Sequence, residues 1–476
     1  TDLGSRFTLD RKFSKPKRRL ILKYNINHQE TGSNGVLYSR YHFNIPALPD
    51  SIVDQTRETQ SIQTAHSFTG TYVEPLTKKI RAELVYAFNT GNASQKRETF
   101  NRISDGTLVP DPRYSNEFDS KRTNNQVSGR FTYETNKVKY SLGTIARRND
   151  ALNHNLVTGN DIRQQVDNLL PFASLRYNFS ESRQLTLTYN TSSEVPTIQQ
   201  LQPVPDNTNP NFIQIGNPNL LPTFSNNLGF NYYSYSIISG RSMFAGGEYK
   251  LVNNAFSTST SFDTLGRTLS APVNVDGNRS GFVYLGGQIR ISPNWSFNYN
   301  LNMNYFSQAN YINQLRNRTT NQVYALNVGL SFDIKKLSGY LEISKDLNYT
   351  ASTLNSSSRK PYGSNLVKGS ASYQFPKGIS LESSLAYTNN TRRAQGYNVD
   401  YLIWNAAVNK KFFKRENLIL GVEATDLLNQ NVSINRTVQA NVIVDSRTSV
   451  IGRYVLLKAT YKFDNKKEKT ADETDY

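Results

Sequence analysis

The feature that most constrains this fold is a strict two-residue alternation between Trp295 and Tyr305. Trp295, Phe297, Tyr299, Leu301, Met303 and Tyr305 alternate with Ser296, Asn298, Asn300, Asn302 and Asn304. Successive side chains of a strand point to opposite faces, so one face of this segment is wholly apolar and the other almost entirely amide. Strands of soluble sandwiches alternate too, but they are typically about five or six residues long. Here ten steps of about 3.4 Å, tilted by roughly 40°, rise about 26 Å. That matches the roughly 25 Å apolar band of a transmembrane β-barrel, with an aromatic ring at each edge.

The period recurs along the chain. Leu20, Leu22, Tyr24 and Ile26 alternate, as do Ile80, Ala82, Leu84, Tyr86 and Phe88. Val283–Ile291, Tyr324–Phe332, Ile379–Tyr387 and Val455–Phe463 repeat it, and no helical stretch of any length competes. Composition agrees. The chain has 476 residues, 12% of them aromatic, yet only 37% are hydrophobic, thin for the two or three cores a soluble protein of this length would need. No run approaches the roughly 18–20 consecutive apolar residues of a spanning helix. A β-barrel shows lipid only every second residue, which reconciles polar composition with a membrane. The absence of cysteine suits a chain that crosses an oxidising periplasm. Thr1–Arg11 contains no apolar signal-peptide core.

The connections alternate in length. Short turns are expected near Ser14–Lys17, Pro75–Lys78, Thr135–Lys137, Ser180–Arg183, Ile237–Gly240, Ser292–Asn294, Asp333–Lys336, Pro376–Gly378 and Phe412–Glu416. Long polar loops are expected at His28–Thr64, Asn89–Asn125, Asn149–Asn168, Ser193–Pro222 and Gln430–Val450. Short periplasmic turns opposite long extracellular loops are the asymmetry of outer-membrane barrels. The reading places Asn207 and Asn317 in outer loops and Asn294 in a periplasmic turn. The expected fold is all-β: a large antiparallel transmembrane outer-membrane β-barrel over residues 1–463, then a charged periplasmic tail, 464–476.

Particular residues carry a resemblance. Pro196-Thr-Ile-Gln-Gln-Leu201 is followed by Ile215-Gly-Asn-Pro-Asn-Leu-Leu-Pro222, and near the end come Asp426-Leu-Leu-Asn429, Gly452-Arg453 and Tyr461-Lys-Phe463. The chain resembles TonB-dependent receptors, whose barrels carry such a loop and motif, and its tyrosine-rich style is similar to the Bacteroidetes outer membrane protein beta-barrel family. One departure is Thr223, where that family places an acidic residue. The resemblance implies TonB-dependent uptake of a nutrient through a plug-gated lumen in the outer membrane of a Gram-negative bacterium. Nine short turns join eighteen strands, and a last strand makes about 19, out of the 22 that the resemblance implies. Closure of an up-and-down barrel needs an even number, so three strands and the plug are expected upstream of Thr1, and Phe7–Phe13 should pair on one side only within this chain. A structural or accessory barrel subunit of a larger outer-membrane complex is one alternative function, and a diffusion porin another.

Catalytic and metal signatures are not what the residues suggest. His28, His42, His66 and His154 are scattered through expected loops without ligand spacing, and Asp105-Gly106 and Asp276-Gly277 read as turns, not calcium loops. The chain is read as no enzyme, with no cofactor and no metal. The net charge of +18 includes a cluster at Lys15, Lys17, Arg18 and Arg19 and another at Lys466, Lys467 and Lys469. The aromatics that nucleic-acid binding would use alternate toward lipid instead, so no nucleic acid is expected. Expected partners are outer-membrane lipids and lipopolysaccharide phosphates, the TonB complex through an N-terminal region not in this sequence, and a surface lipoprotein or other outer-membrane subunits. Candidate lumen residues for substrate contact are Asn298, Asn300, Asn302 and Asn304. Asp50-Ser-Ile52 and Asp263-Thr-Leu265 resemble a short O-glycosylation signal of Bacteroidetes.

Overall fold

The structure, a computed structural model, describes residues 1–42, 51–209, 211–263, 267–354, 361–393, 396–413, 415–438 and 443–463. Twenty-six strands are found there, twenty-four in one large, predominantly antiparallel sheet and two in a separate hairpin. The α-helix among the described residues is the four-residue Ile198–Leu201. All nine expected short turns fall between consecutive strands and join eighteen of them, and Tyr454–Tyr461 is the nineteenth. The other seven are short strands inside the outer connections.

The main correction concerns those connections. His28–Thr64, Asn89–Asn125 and Asn149–Asn168, expected as loops, are mostly strand. Arg19–Tyr41 pairs with Ser51–Pro75 in unbroken register from Arg19↔Val73 to Tyr41↔Ser51. Ile80–Arg102 pairs with Asn116–Glu134 from Ile80↔Tyr133 to Arg97↔Asn116. Above the apolar band both faces of a strand meet water, so alternation disappears from the sequence. Backbone N–H and C=O groups still need partners, and the ladder continues to supply them. Asn317 is a second correction. It lies within Leu315–Ile334, fully buried, and donates through Nδ2 to Asn310 Oδ1 at 3.0 Å. The outer connection here is the two-residue turn Asn313–Gln314, both at positive φ, the geometry that closes a tight hairpin.

The chain divides into two compact units. The first comprises residues 1–232, 247–281 and 306–318. In it a meander runs from Asp2–Lys12 through Arg183–Glu194, each long strand antiparallel to the next. Asp2–Lys12 is laddered to Arg19–Tyr41 and exposed along its whole length. The second unit comprises residues 233–246, 282–305 and 319–476. Its meander runs from residues 319–334 of the strand Leu315–Ile334 to Tyr454–Tyr461. Gln430–Val450, expected as a loop, contains the hairpin Ser433–Val438/Ile443–Thr448. There Arg436 donates through Nε and Nη2 to the two oxygens of Asp445, both at 2.7 Å, in a buried fork.

Burial is inverted relative to a soluble protein. Leu84, Phe131, Leu142 and Leu385 are exposed, while Thr99, Ser120, Thr132 and Ser380 are buried. The inner hydroxyls and amides satisfy one another across strands, as between Thr132 and Ser141 at 2.9 Å and from Asn365 to Asn389 at 3.1 Å. Lipid accepts the outer face at no cost, and a polar interior needs only such partners or water. The tail 464–476, with Lys466, Lys467 and Lys469, lies outside the described residues, as do Asp50 and residues 264–266 of the two glycosylation-like triplets. Asp263 itself accepts from the Arg267 guanidinium at 2.6 Å.

Candidate functional site

The segment Ser193–Pro222 turns against the inner face of the first unit. Thr197 and Gln200 build a capping box that starts its helix: Gln200 N–H donates to Thr197 Oγ1 at 3.3 Å, and Thr197 N–H donates to Gln200 Oε1 at 2.8 Å. The motif residues Pro196 and Leu201 are both fully buried. Gly216 N–H donates to Gln202 O at 2.9 Å, and Asn217 N–H donates to Gln200 O at 2.6 Å. A Cβ at position 216 would lie 2.1 Å from Gln202 O, so this close approach needs glycine. Asn217 also donates through Nδ2 to Pro272 O at 3.0 Å and accepts from Asn219 N–H at 3.0 Å. Phe212–Gln214 runs parallel to Thr268–Ser270. The Gly-Asn-Pro motif thus ties the segment to itself and to the Thr268–Val275 strand. Thr223, the departure from the family pattern, is buried and accepts the Glu194 N–H at 3.2 Å.

The wall it meets is basic. Arg97 donates to Pro205 O at 3.2 Å, Arg122 to Pro196 O at 3.3 Å, and Arg147 to Ser193 O at 2.6 Å. Asp206 lies 3.6 Å from Arg97 and 3.8 Å from Arg57. These arginines sit on consecutive long strands at positions whose parity is opposite to that of the exposed Phe68, Leu84, Phe131 and Leu142. Burial pushes the Arg97 pKa down from its ordinary value, against the pull of Asp206. Asn116 donates to Gln202 Oε1 at 3.0 Å and accepts from Asn155 at 3.0 Å, extending the inner polar network.

Two cavities lie along this seam. One, of about 130 Å³, is lined by Gln95, Arg97, Asn116, Gln200, Gln202 and Asp206 among others. The second, of about 470 Å³, is lined by Arg122 and by amide and hydroxyl side chains including Ser61, Gln63, Ser120 and Asn124. Gln95, Phe118 and Gln199 line both.

The residues singled out from sequence lie elsewhere. In the second unit Asn298 donates to Ser331 Oγ at 2.9 Å, Asn302 donates to Asn300, and Asn304 is exposed. On the other parity Trp295 meets Phe332 at 5.3 Å and Phe297 stacks on Tyr299 at 6.3 Å. The amide row is a hydrogen-bonded ladder distinct from the arginine wall. His28, His66 and His154 sit on strands, not loops, bonded to Thr64, Tyr24 and Asp161 at 2.8, 2.8 and 2.6 Å. Lys15 and Arg18 of the basic cluster pair with Glu74 at 2.6 and 2.8 Å beside the first turns. With Tyr72 donating as well, they hold the Glu74 carboxyl at about 2, below the usual 4.5. Asp105 accepts from Thr107 N–H at 2.8 Å, as a turn residue does. The inner arginines were missed because they lie in polar stretches read as loops. Continuing the parity of Ile80–Phe88 along the same strand would have placed Arg97 inside.

The sequence matches the outer membrane protein beta-barrel family over residues 11–361 and 307–461. Among curated proteins no sequence matches. Similar solved structures include the copper transporter OprC, with 11% identity, 85% of this chain and 64% of that chain covered, and a TM-score of 0.54. Another is the ferripyoverdine receptor of Pseudomonas aeruginosa bound to ferripyoverdine, with 10% identity, 97% and 56% covered, and a TM-score of 0.51. The FpvAI–pyocin S2 complex follows with 10% identity, 97% and 57% covered, and a TM-score of 0.50. At such identities the likeness is one of fold alone, and the chain spans less than two thirds of the length of these structures. With the family matched over most of its length, this chain belongs to the outer membrane protein beta-barrel family and resides in the outer membrane.

Proposed function

We propose that this chain forms the barrel of a TonB-dependent transporter that takes up a solute, with Ser193–Pro222 acting as part of the gate. The observation that carries the reading is the inward segment itself. Its Pro196 and Leu201 are fully buried, and its carbonyls are held by Arg97, Arg122 and Arg147. A porin leaves an aqueous lumen, whereas here the inner face of the first unit is occupied by a built, hydrogen-bonded segment. Energised opening by TonB through a plug belongs to the same proposal. So do contacts of the outward face with lipid and lipopolysaccharide, and with a surface lipoprotein or other outer-membrane subunits.

The test is a solute-uptake screen in cells that carry or lack the full-length protein, with and without a protonophore. The proposal expects accumulation of one solute class that needs both the protein and the proton-motive force. Protein-dependent entry of many small solutes, insensitive to the protonophore, would replace it with the porin reading. No protein-dependent uptake of any solute would leave the accessory-subunit reading.

A further inference from the structure

The inner wall beneath Ser193–Pro222 concentrates positive charge with little to balance it. Arg57, Arg97, Arg122 and Arg147 follow one another on the strands Ser51–Pro75, Ile80–Arg102, Asn116–Glu134 and Val138–Asn155. Register staggers them along the wall: Arg57 is opposite Thr99, two residues from Arg97, while Arg97 is opposite Asn116 and Arg122 opposite Gly91, six residues further along, and Arg147 is opposite Gln126, four residues from Arg122. Asp206 serves both Arg57 and Arg97, while Arg122 and Arg147 have no carboxylate partner among the described residues. Their acceptors are backbone carbonyls and, for Arg147, the Asn168 amide oxygen at 3.2 Å. A carbonyl offers a dipole where a guanidinium favours a charge. The buried Nε atoms of Arg97 and Arg147 have no acceptor at all. A half-buried cation held only by dipoles favours an anion at its remaining donors.

We propose that the seam between Ser193–Pro222 and this wall is a binding site for a hydroxyl-rich solute bearing a carboxylate or phosphate. The cavity of about 130 Å³ beside Arg97 admits one such group, which the guanidinium would take through its unpartnered Nε and the Nη2 now given to Pro205 O, while Nη1 stays toward Asp206, which lines the same cavity. The adjoining cavity of about 470 Å³ presents Ser61, Gln63, Ser120 and Asn124, donors and acceptors suited to hydroxyls, with Arg122 as its cation. Bound there, the anion competes with the Pro205 and Pro196 carbonyls for Arg97 and Arg122. Ligand binding therefore loosens the segment that covers the site. This deepens the proposed function and rests on it, since it names the substrate class of that gate.

The test is titration calorimetry on the full-length protein in detergent, with glucose 6-phosphate, digalacturonate, inorganic phosphate and maltose as probes. Folding of every variant is checked by heat-modifiable mobility. Glucose 6-phosphate or digalacturonate is expected to bind and maltose not, which also separates a phosphate from a carboxylate ligand. Arg97→Gln and Arg122→Gln should each weaken binding about tenfold, with Arg97→Lys intermediate because it keeps the charge and loses the fork. Arg97→Lys also serves if the glutamine variant does not fold. The proposal is overturned if maltose binds as tightly as the charged sugars, if neither charged sugar binds, or if folded variants bind like the parent. Inorganic phosphate binding as tightly as glucose 6-phosphate would remove the hydroxyl-rich assignment. Because the readout is occupancy and not uptake, these failures leave the transport reading to its own test on cells.

Discussion

Two halves of the strand Ile80–Arg102 follow different rules. From Ile80 to Phe88 apolar residues alternate with others, and Leu84 and Tyr86 stand exposed on the outer face. From Asn89 to Arg102 the outer face carries Ser94, Lys96 and Glu98 while the inner carries Gln95, Arg97 and the buried Thr99. One antiparallel ladder runs through both halves, from Ile80↔Tyr133 to Arg97↔Asn116. The bilayer therefore writes the hydropathy pattern, whereas the backbone ladder writes the strand. Where the two coincide, sequence reveals structure; where only the ladder persists, polar strand looks like loop.

The sharpest way to break this comparison is to place a charge on the outer face of each half. Leu84→Arg should destabilise the protein by roughly 2–4 kcal/mol in a reversible unfolding experiment in lipid vesicles. Ser94→Arg, ten residues further on the same face, should stay within about 0.5 kcal/mol. Equal costs would mean that the apolar band does not end near Phe88. Leu301→Arg and Asn300→Arg make the same contrast across one strand, with only the leucine change costly.

A smaller effect is expected where the inner face meets its covering segment. Gly216→Ala forces a methyl against Gln202 O and should cost about 1–3 kcal/mol, taken up locally by release of Ser193–Pro222. Limited proteolysis would then cut within residues 203–215 while the long strands keep their heat-modifiable mobility. Unchanged protection of that segment would contradict the pinned arrangement.

How far the sequence could be read follows the same division. The nine turns and the strands crossing the band were legible, because lipid imposes a period of two and tight turns interrupt it. The outer halves were not, since Thr56–Thr64 or Asn116–Asn125 carry no apolar face to mark them. The arginine wall stayed hidden with them: Arg57, Arg97 and Arg122 all lie beyond the readable band. The Asn298–Asn302 ladder was found because it lies inside it. The Ser433–Thr448 hairpin shows no such mark either, and its buried Arg436–Asp445 pair could be seen only once the register brought the two together.

Labelling gives a qualitative check of the same boundary. The chain has no cysteine, so single substitutions report cleanly. Gln314→Cys, at the exposed outer turn, should react with an impermeant maleimide on whole cells, whereas Asn317→Cys, three residues into the strand and buried, should not. Reaction at both would return Leu315–Thr320 to a loop. The mildest expectation is at the opposite end. Glu74, with its carboxyl at about 2, contributes stability that is fully present above pH 4.5 and is lost as pH falls toward 2. Glu74→Gln should lower stability modestly at neutral pH and flatten the profile below pH 4.5, so that parent and variant converge as pH falls toward 2. An identical acid profile for parent and variant would remove Glu74 from the account.

Hydrogen–deuterium exchange, read by mass spectrometry on the protein in lipid nanodiscs, tests the central claim most directly. If the polar upper halves are laddered strand, the amides of Asn89–Arg97 and Asn116–Asn125 should exchange about as slowly as those of Ile80–Phe88. The tip residues Asp105–Thr107 should exchange fast beside them. Exchange of Asn89–Arg97 at the rate of that tip would contradict the account, and would return these segments to the loops that their composition suggests.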